Sequence, residues 1–277
     1  MRSPWKDGSG HWVAAIAAAA AFVAIAVVAV VGYGGSPAPA SPAVQAQPPA
    51  ARRWVGAARF AARNRTMLHS GTTMPHSGTT MLAAVRSTSP RYAAPGMRTR
   101  GQVPATWWGV QSVLPVVATR PGWVKVRLAQ RPNGSTAWLP VRDVTLSSTR
   151  YLITINLATM RLTLYFANRK VFSAPAGIGT LTDPTPTGHY FVAFTQPIPQ
   201  PNPGYGPFIL VTSAHSQAIG DWEGSGDAVI GIHGPLGDDG LIGATCTRIS
   251  PGCIRLHVSA LLKLRDVPPG TPINIFS

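Results

Sequence analysis

The sequence predicts a mainly β protein, and three observations carry that expectation. Glycine and proline are abundant, 28 and 27 of 277 residues, which favours turns and short strands over long helices. Apolar residues in the C-terminal two thirds recur with period two, in runs of five to eight bounded by turn residues. Only one stretch there, "HVSALLKLRD" from His257 to Asp266, has helical spacing, with apolar residues at 258, 261, 262 and 264 before Pro268-Pro269.

The N-terminus is the exception to this pattern. Val13 to Val31 is nineteen residues without charge, Pro or Gly. About 20 apolar residues can cross a bilayer as a helix. Arg2 and Lys6 precede the run, and the next basic residue is Arg52, so the positive-inside bias places residues 1–12 in the cytoplasm. Residues 13–33 are therefore expected as an uncleaved single-pass anchor in the cell membrane, with everything after them on the cell-wall side. A cleaved signal peptide is the rival, with "VQAQ" (44–47) as its cleavage site, but the apolar run is long for one.

Residues 34–102 read as a Pro/Ala- and Arg-rich low-complexity linker. A seven-residue unit repeats in it, "TMLHSGT" (66–72) and "TMPHSGT" (73–79), and "TML" begins again at Thr80. His69 and His76 lack accompanying Cys or carboxylate ligands, so a replicated spacer is expected rather than a metal site. Residues 34–142 hold fourteen Lys or Arg and no Asp or Glu, whereas residues 143–277 hold eight of each sign. A field of that sign attracts an anionic wall polymer or acidic headgroups. No aromatic-interleaved nucleic-acid motif is present, and the compartment argues against nucleic acid. Coding bias in a spacer is the bland alternative.

From Val103 to Ser147 the pattern changes. "WVKVRL" (123–128) and "TAWLPV" (136–141) alternate, and Asn133-Gly134 suits a hairpin between them. About four or five short strands make a small barrel that resembles a bacterial SH3-like module. Such a piece is small for independent stability and would lean on its neighbour. Residues 148–277 form the second module. "YLITINLATMRLTLYFANRKVFSAPAGIG" reads as two hairpin-linked strand pairs, with Ile153, Ile155 and Leu157 opposite Leu152, Thr154 and Asn156. "GHYFVAF", "GPFILVTS", "AVIGIHG" and "TPINIF" add strands, and the Gly-rich stretch 197–228, with Tyr205, Gly206 and Trp222, suits a lid.

The chemistry centres on "RISPGCIRLH" (248–257). A lone Cys253 is commonly a small buried hydrophobe, and an oxidising exterior would also permit a disulfide to Cys246. A nucleophilic thiol needs a base and backbone donors. His233 ends an apolar strand and precedes Gly234, which places an imidazole of near-neutral pKa at a strand end. Gly252 allows close backbone approach, so the N–H groups of Gly252 and Cys253 could face an oxyanion. Arg255 lies two residues on and could grip a substrate carboxylate. The six-residue gap between the cysteines is unlike C-x-x-C, which argues against a thiol-redox protein. Asp238 and Asp239 read as a solvated loop.

Together these residues resemble the active-site signature of the L,D-transpeptidases, in which a His-Gly pair precedes a Ser-x-Gly-Cys turn. Here sixteen residues separate His233 from Ser250, and the turn reads "SPGCIRL". "PTPTGHYFV" (184–192), "SAHS" (213–216) and "VPPGTPINIF" (267–276) are similar to family strands. The resemblance implies an L,D-transpeptidase-type β-sandwich with one or two short helices over 148–277. It implies that His233 activates Cys253 against peptidoglycan stem peptides and that 3→3 cross-links form through a thioester. In it Ser250 orients His233 or the turn, Arg255 and Gly234 meet the substrate, and His215 either lines the donor groove or has a surface or hydrogen-bonded structural role. It implies no metal and no cofactor. With water as acceptor the same site is an L,D-carboxypeptidase, and with a degenerate site the chain is a non-catalytic wall-binding protein. Pro251 stands where the family often has His, and Val258 and Ala260 where it often has Asn and Asp.

Overall fold

A computed structural model describes residues 78–277 except 201, 203, 223, 245 and 246. The expected anchor at 13–33, its cytoplasmic residues 1–12, His69, His76 and Cys246 lie outside the described residues. Among the described residues no helix is long and apolar enough to cross a membrane.

The first module is an antiparallel sheet of seven strands. In chain order its strands are β1 (Thr80–Val85), β2 (Ser89–Ala94), β3 (Met97–Val103), β6 (Val113–Arg120), β7 (Trp123–Arg127), β8 (Thr136–Pro140) and β9 (Val144–Thr149). The two-residue strands β4 (Thr106–Trp107) and β5 (Val110–Gln111) form a small hairpin between β3 and β6. The order is β3-β2-β8-β7-β6-β1-β9, so β3 and β9 are the edges. Residues 80–102, expected as linker, are therefore the first three strands of this module. Their sequences hide it for physical reasons. β1, "TMLAAV", looks low in complexity but buries Leu82, Ala83 and Val85 between β6 and β9. β3, "MRTRGQV", is exposed at six of seven positions, because an edge strand has little core to face. In β7, by contrast, Val124 and Val126 are fully buried and alternate with half-buried Trp123, Lys125 and Arg127, as period two predicts.

The second module is an eight-stranded mixed sheet, order β12-β11-β10-β19-β14-β15-β16-β18. β10 (Tyr151–Asn156), β11 (Arg161–Phe166) and β12 (Arg169–Pro175) form a meander. β14 (Gly188–Pro197), β15 (Phe208–His215), β16 (Val229–His233), β18 (Ile254–Arg255) and β19 (Pro272–Phe276) complete it. β13 (Ile178–Gly179) and β17 (Arg248–Ser250) form a separate parallel pair. α1 is only Val258–Leu261 and continues as a 3-10 turn over Leu262–Leu264, shorter than the ten residues the spacing suggested. β15 divides the expected 197–228 lid into two loops, 198–207 and 216–228.

β14 joins the modules. Tyr190 and Val192 enter the core of the second sheet, whereas Phe191, Ala193 and Phe194 enter the core of the first, beside Val124, Val126 and Leu139. Alternation delivers the two sets to opposite faces, and a bulge between Val192 and Phe194 keeps Phe194 on the first-module side. The small module thus shares its core with its neighbour. A polar junction adds to this. Asn133, in the β7–β8 loop, donates to the His215 carbonyl at 2.8 Å and accepts from the His215 N–H at 2.9 Å. Asn133→Ala should cost about 2 kcal/mol, because both backbone groups lose their partner. That corresponds to a fall in Tm of roughly 4–8 °C by calorimetry, and an unchanged Tm would mean the junction contributes nothing.

Candidate active site

β16 and β18 run parallel, with Ile232 opposite Ile254 and His233 opposite Arg255. One residue earlier, the Gly231 N–H donates to Cys253 Sγ at 3.4 Å. The position a Cβ would take on Gly231 lies 3.6 Å from His233 Cδ2 and 4.0 Å from Cys253 Sγ. The nearest atom to that position is Ile209 Cγ2 at 3.0 Å, so the Gly231 backbone packs closely on Ile209 with imidazole and thiol both in van der Waals range. His233 is buried, and its Nδ1 lies 2.7 Å from the Gly234 carbonyl. Since a carbonyl only accepts, Nδ1 carries the proton and Nε2 is left as the basic nitrogen. The Tyr205 ring meets the imidazole edge-on, centroids 5.1 Å apart.

Burial, with help from the Arg255 charge, lowers the His233 pKa to about 4 against the weaker opposing effect of the Gly234 carbonyl. Burial also pushes the Cys253 thiol up, only partly offset by the Gly231 N–H and Arg255. The resting pair at neutral pH is therefore thiol and neutral imidazole, not thiolate and imidazolium. Cys253 is a free thiol with partial exposure.

Ser250 builds the turn that presents the thiol. Its hydroxyl donates to the Cys253 carbonyl at 2.5 Å and accepts from the Gly252 N–H at 3.1 Å. This alters one expectation: the Gly252 N–H is committed to Ser250, which leaves Cys253 as the backbone donor of the pair. Gly252 itself sits at φ +118°, where side chains are disfavoured, and a Cβ there would meet Ile230 at 2.9 Å. Sequence reasoning missed Thr185. Its buried hydroxyl donates to the Gly252 carbonyl at 2.7 Å and accepts from the Gly179 N–H at 2.9 Å. A trans peptide is planar, so fixing that carbonyl aims the Cys253 N–H the opposite way. Gly179 must be glycine, since a Cβ would lie 2.4 Å from the Asp183 carbonyl.

Three expected substrate contacts are employed otherwise. Arg255 Nη1 donates to Asp238, while its Nε is buried without a partner among the described residues. Asp239 pairs with His257 at 2.8 Å, so the two aspartates clamp the 235–243 loop to β18 and α1 and are not simply solvated. Gly234 serves close packing: a Cβ would lie 2.7 Å from the Gly204 carbonyl, and its N–H donates to the Tyr205 carbonyl at 2.7 Å. His215 lies at the module junction rather than in a donor groove. It is buried, with Nδ1 2.7 Å from Asp227, which also binds Arg131 at 2.6 Å. Burial alone would raise the Asp227 carboxyl, but His215 and Arg131 outweigh it and bring it below its ordinary value. His189 pairs on the surface with Asn274 at 2.8 Å. Among the described residues no three His, Cys, Asp or Glu side chains converge as metal ligands.

A thiol and a neutral imidazole at the ends of neighbouring parallel strands, on a sheet sandwich, form the kind of site that transfers acyl groups through sulfur. Comparison with known proteins narrows the class. Residues 150–275 match the YkuD family model, the L,D-transpeptidase catalytic domain. Over 126 residues the chain is 32% identical to YkuD of Bacillus subtilis strain 168, provisionally named an L,D-transpeptidase, covering 45% of this chain and 65% of that one. The Bacillus licheniformis YkuD is 33% identical over the same shares. The chain thus spans just under two thirds of those relatives' length. Among solved structures, an L,D-transpeptidase from Mycobacterium smegmatis is 18% identical with a TM-score of 0.36, over 56% of this chain and 91% of that one. Bd1075 of Bdellovibrio bacteriovorus is 26% identical with a TM-score of 0.33, over 46% and 48%.

Proposed function

We propose that the chain is a peptidoglycan L,D-transpeptidase that works through a Cys253 acyl-enzyme on tetrapeptide stems and forms 3→3 cross-links. The observation that carries this reading is the parallel pairing of β16 with β18, which sets the buried His233 imidazole and the free Cys253 thiol at the ends of neighbouring strands, both within 4.0 Å of one point on Gly231. In the first step Sγ bonds to the carbonyl carbon of the third stem residue as the thiol proton passes to His233 Nε2. The oxyanion forms towards the Cys253 N–H. The tetrahedral adduct collapses, the bond to the terminal D-alanine nitrogen breaks, and His233 returns the proton to that leaving amine. A thioester remains, and the side-chain amine of a second stem attacks it, with His233 again taking and returning a proton. Water in place of that amine gives the carboxypeptidase outcome. The anchor at 13–33 would hold the site on the wall side of the membrane, and the first module, in an SH3-like role, would hold it against the wall.

Intact mass after incubation with a tetrapeptide-stem muropeptide, and separately with a carbapenem, tests the nucleophile. A covalent adduct is expected on wild type and Cys246→Ala and not on Cys253→Ala. No adduct on the reduced wild type would favour the wall-binding reading. A disaccharide-tetrapeptide dimer in the product mixture identifies the amine as acceptor, and a tripeptide alone identifies water. Thr185 gives a second check. Thr185→Val should slow acylation roughly 10- to 100-fold by releasing the Gly252 carbonyl and misaiming the Cys253 N–H, and Thr185→Ser should restore most of the rate. Failure of the serine variant to rescue would show that Thr185 only fills space.

A further inference from the structure

The first module carries a second surface that the Cys253 chemistry does not use. Tyr92 on β2, Trp138 on β8, Lys125 on β7 and Arg98 on β3 lie in one cross-strand row: Lys125 is opposite Trp138, Trp138 opposite Tyr92, and Tyr92 opposite Arg98. Tyr92 also meets the Trp123 ring edge-on at 4.9 Å. Beside this row, where β3 bulges away from β2, a cleft of about 370 Å³ opens, lined by Arg91, Tyr92, Thr99, Arg100 and Thr136. Thr99 donates to the Arg91 carbonyl at 3.2 Å, which ties the two strands across the cleft.

Charge decides what such a surface attracts. Residues 78–142 hold nine Lys or Arg and no Asp or Glu. Among the described residues, Arg91, Arg98, Arg100 and Lys125 make no ion pair. Arg98 and Arg100 are exposed on a strand that is an edge of its sheet among the described residues. Arg91 donates to the Thr136 carbonyl at 3.5 Å, but none of these cations has a carboxylate partner, and beside half-buried Tyr92 they suit a ligand that alternates anionic groups with flat, weakly polar faces. Guanidinium forks match phosphate geometry, and aromatic faces stack on sugar rings.

We propose that this β2–β3–β8 face binds a phosphate-bearing polysaccharide strand. Phosphodiesters lie against Arg91 and Arg100 in the cleft, and sugar rings lie on half-buried Tyr92, which the buried Trp138 backs. The proposal does not depend on the acyl-transfer reading, since it shares no residue with that site.

The test uses the full chain in mild detergent, with purified phosphomannan as probe and neutral mannan, inorganic polyphosphate and duplex DNA as comparison ligands. Binding is measured by interferometry at about 0.15 M salt, where surface charge is screened beyond roughly 8 Å. Phosphomannan should bind at least tenfold more tightly than mannan. Arg91→Gln with Arg100→Gln should weaken that binding about tenfold. Tyr92→Ala should weaken it several-fold and leave polyphosphate binding unchanged. Arg169→Gln, an exposed arginine in the second module, serves as the control for lost charge, and melting temperatures check that each variant folds. The proposal fails if the cleft variants bind phosphomannan like Arg169→Gln. It also fails if polyphosphate or DNA matches phosphomannan and Tyr92→Ala changes nothing, since the face would then be a plain polyanion or nucleic-acid surface.

Discussion

His233→Gln should slow acylation of Cys253 by about 10²- to 10⁴-fold, the usual contribution of a positioned general base, while leaving the thiol free and the fold intact. The size of the effect follows from the protonation states. Burial holds the imidazole neutral down to about pH 4 and pushes the thiol above its ordinary value. Few thiolates are present at pH 7, so attack must proceed with proton transfer to His233 Nε2 in the same step. Simple alkylation behaves differently, because iodoacetamide reacts with whatever thiolate exists. Its rate on Cys253 should rise with pH through and beyond 9, with no plateau near pH 6, and should change little in His233→Gln. A fast, pH-independent alkylation between pH 5 and 7 would reveal a preformed thiolate–imidazolium pair and overturn this account. The two measurements together separate loss of a base from loss of a folded site.

What could be read from the sequence depended on how far each residue's partner lies along the chain. Cys253, Gly252 and Ser250 are bonded within one turn, so a short motif carries them. His233 is legible because it ends the apolar run Val229–His233, whose parallel neighbour Ile254–Arg255 holds the thiol one residue before it. Thr185 is not legible. It reads as one more residue in a Pro-rich turn, and its partner Gly252 is 67 positions away. His215 misleads for the same reason, since the groups that occupy it, Asn133 and Asp227, lie outside its local context. Strands that face a core on one side, such as Trp123–Arg127 and Tyr151–Asn156, show their period plainly. The edge strand Met97–Val103 has no buried face to impose one, so its arginines read as a spacer.

The stability of the fold should fall by about 3 kcal/mol between pH 6.5 and pH 4, and His233 is the residue responsible. The sign comes from proton counts. In the unfolded chain the imidazole takes up a proton near its ordinary pKa of 6.5, whereas in the folded protein it does so only near 4. Between those values the unfolded state binds more protons, so stability rises with pH there, is complete above 6.5, and drops no further below about 4 on this account. Asp227 acts in a separate window. Its carboxyl is held below its ordinary 3.8, so the stability it contributes is lost only at more acid pH. At the alkaline end the raised thiol of Cys253 works the other way: above pH 9 the unfolded thiol ionises first, and stability falls as pH rises. Urea unfolding at intervals from pH 4 to pH 8 measures the acid limb. His233→Gln, which has no titrating ring, should be flatter than wild type by about 3 kcal/mol across pH 6.5 to 4, whatever its absolute stability. Parallel curves would mean that the imidazole is protonated in the folded protein at pH 5, next to Arg255 and under Tyr205. A cation held there would be a poor base for the Cys253 thiol, so the same titration that probes the fold also bears on the acyl-transfer step.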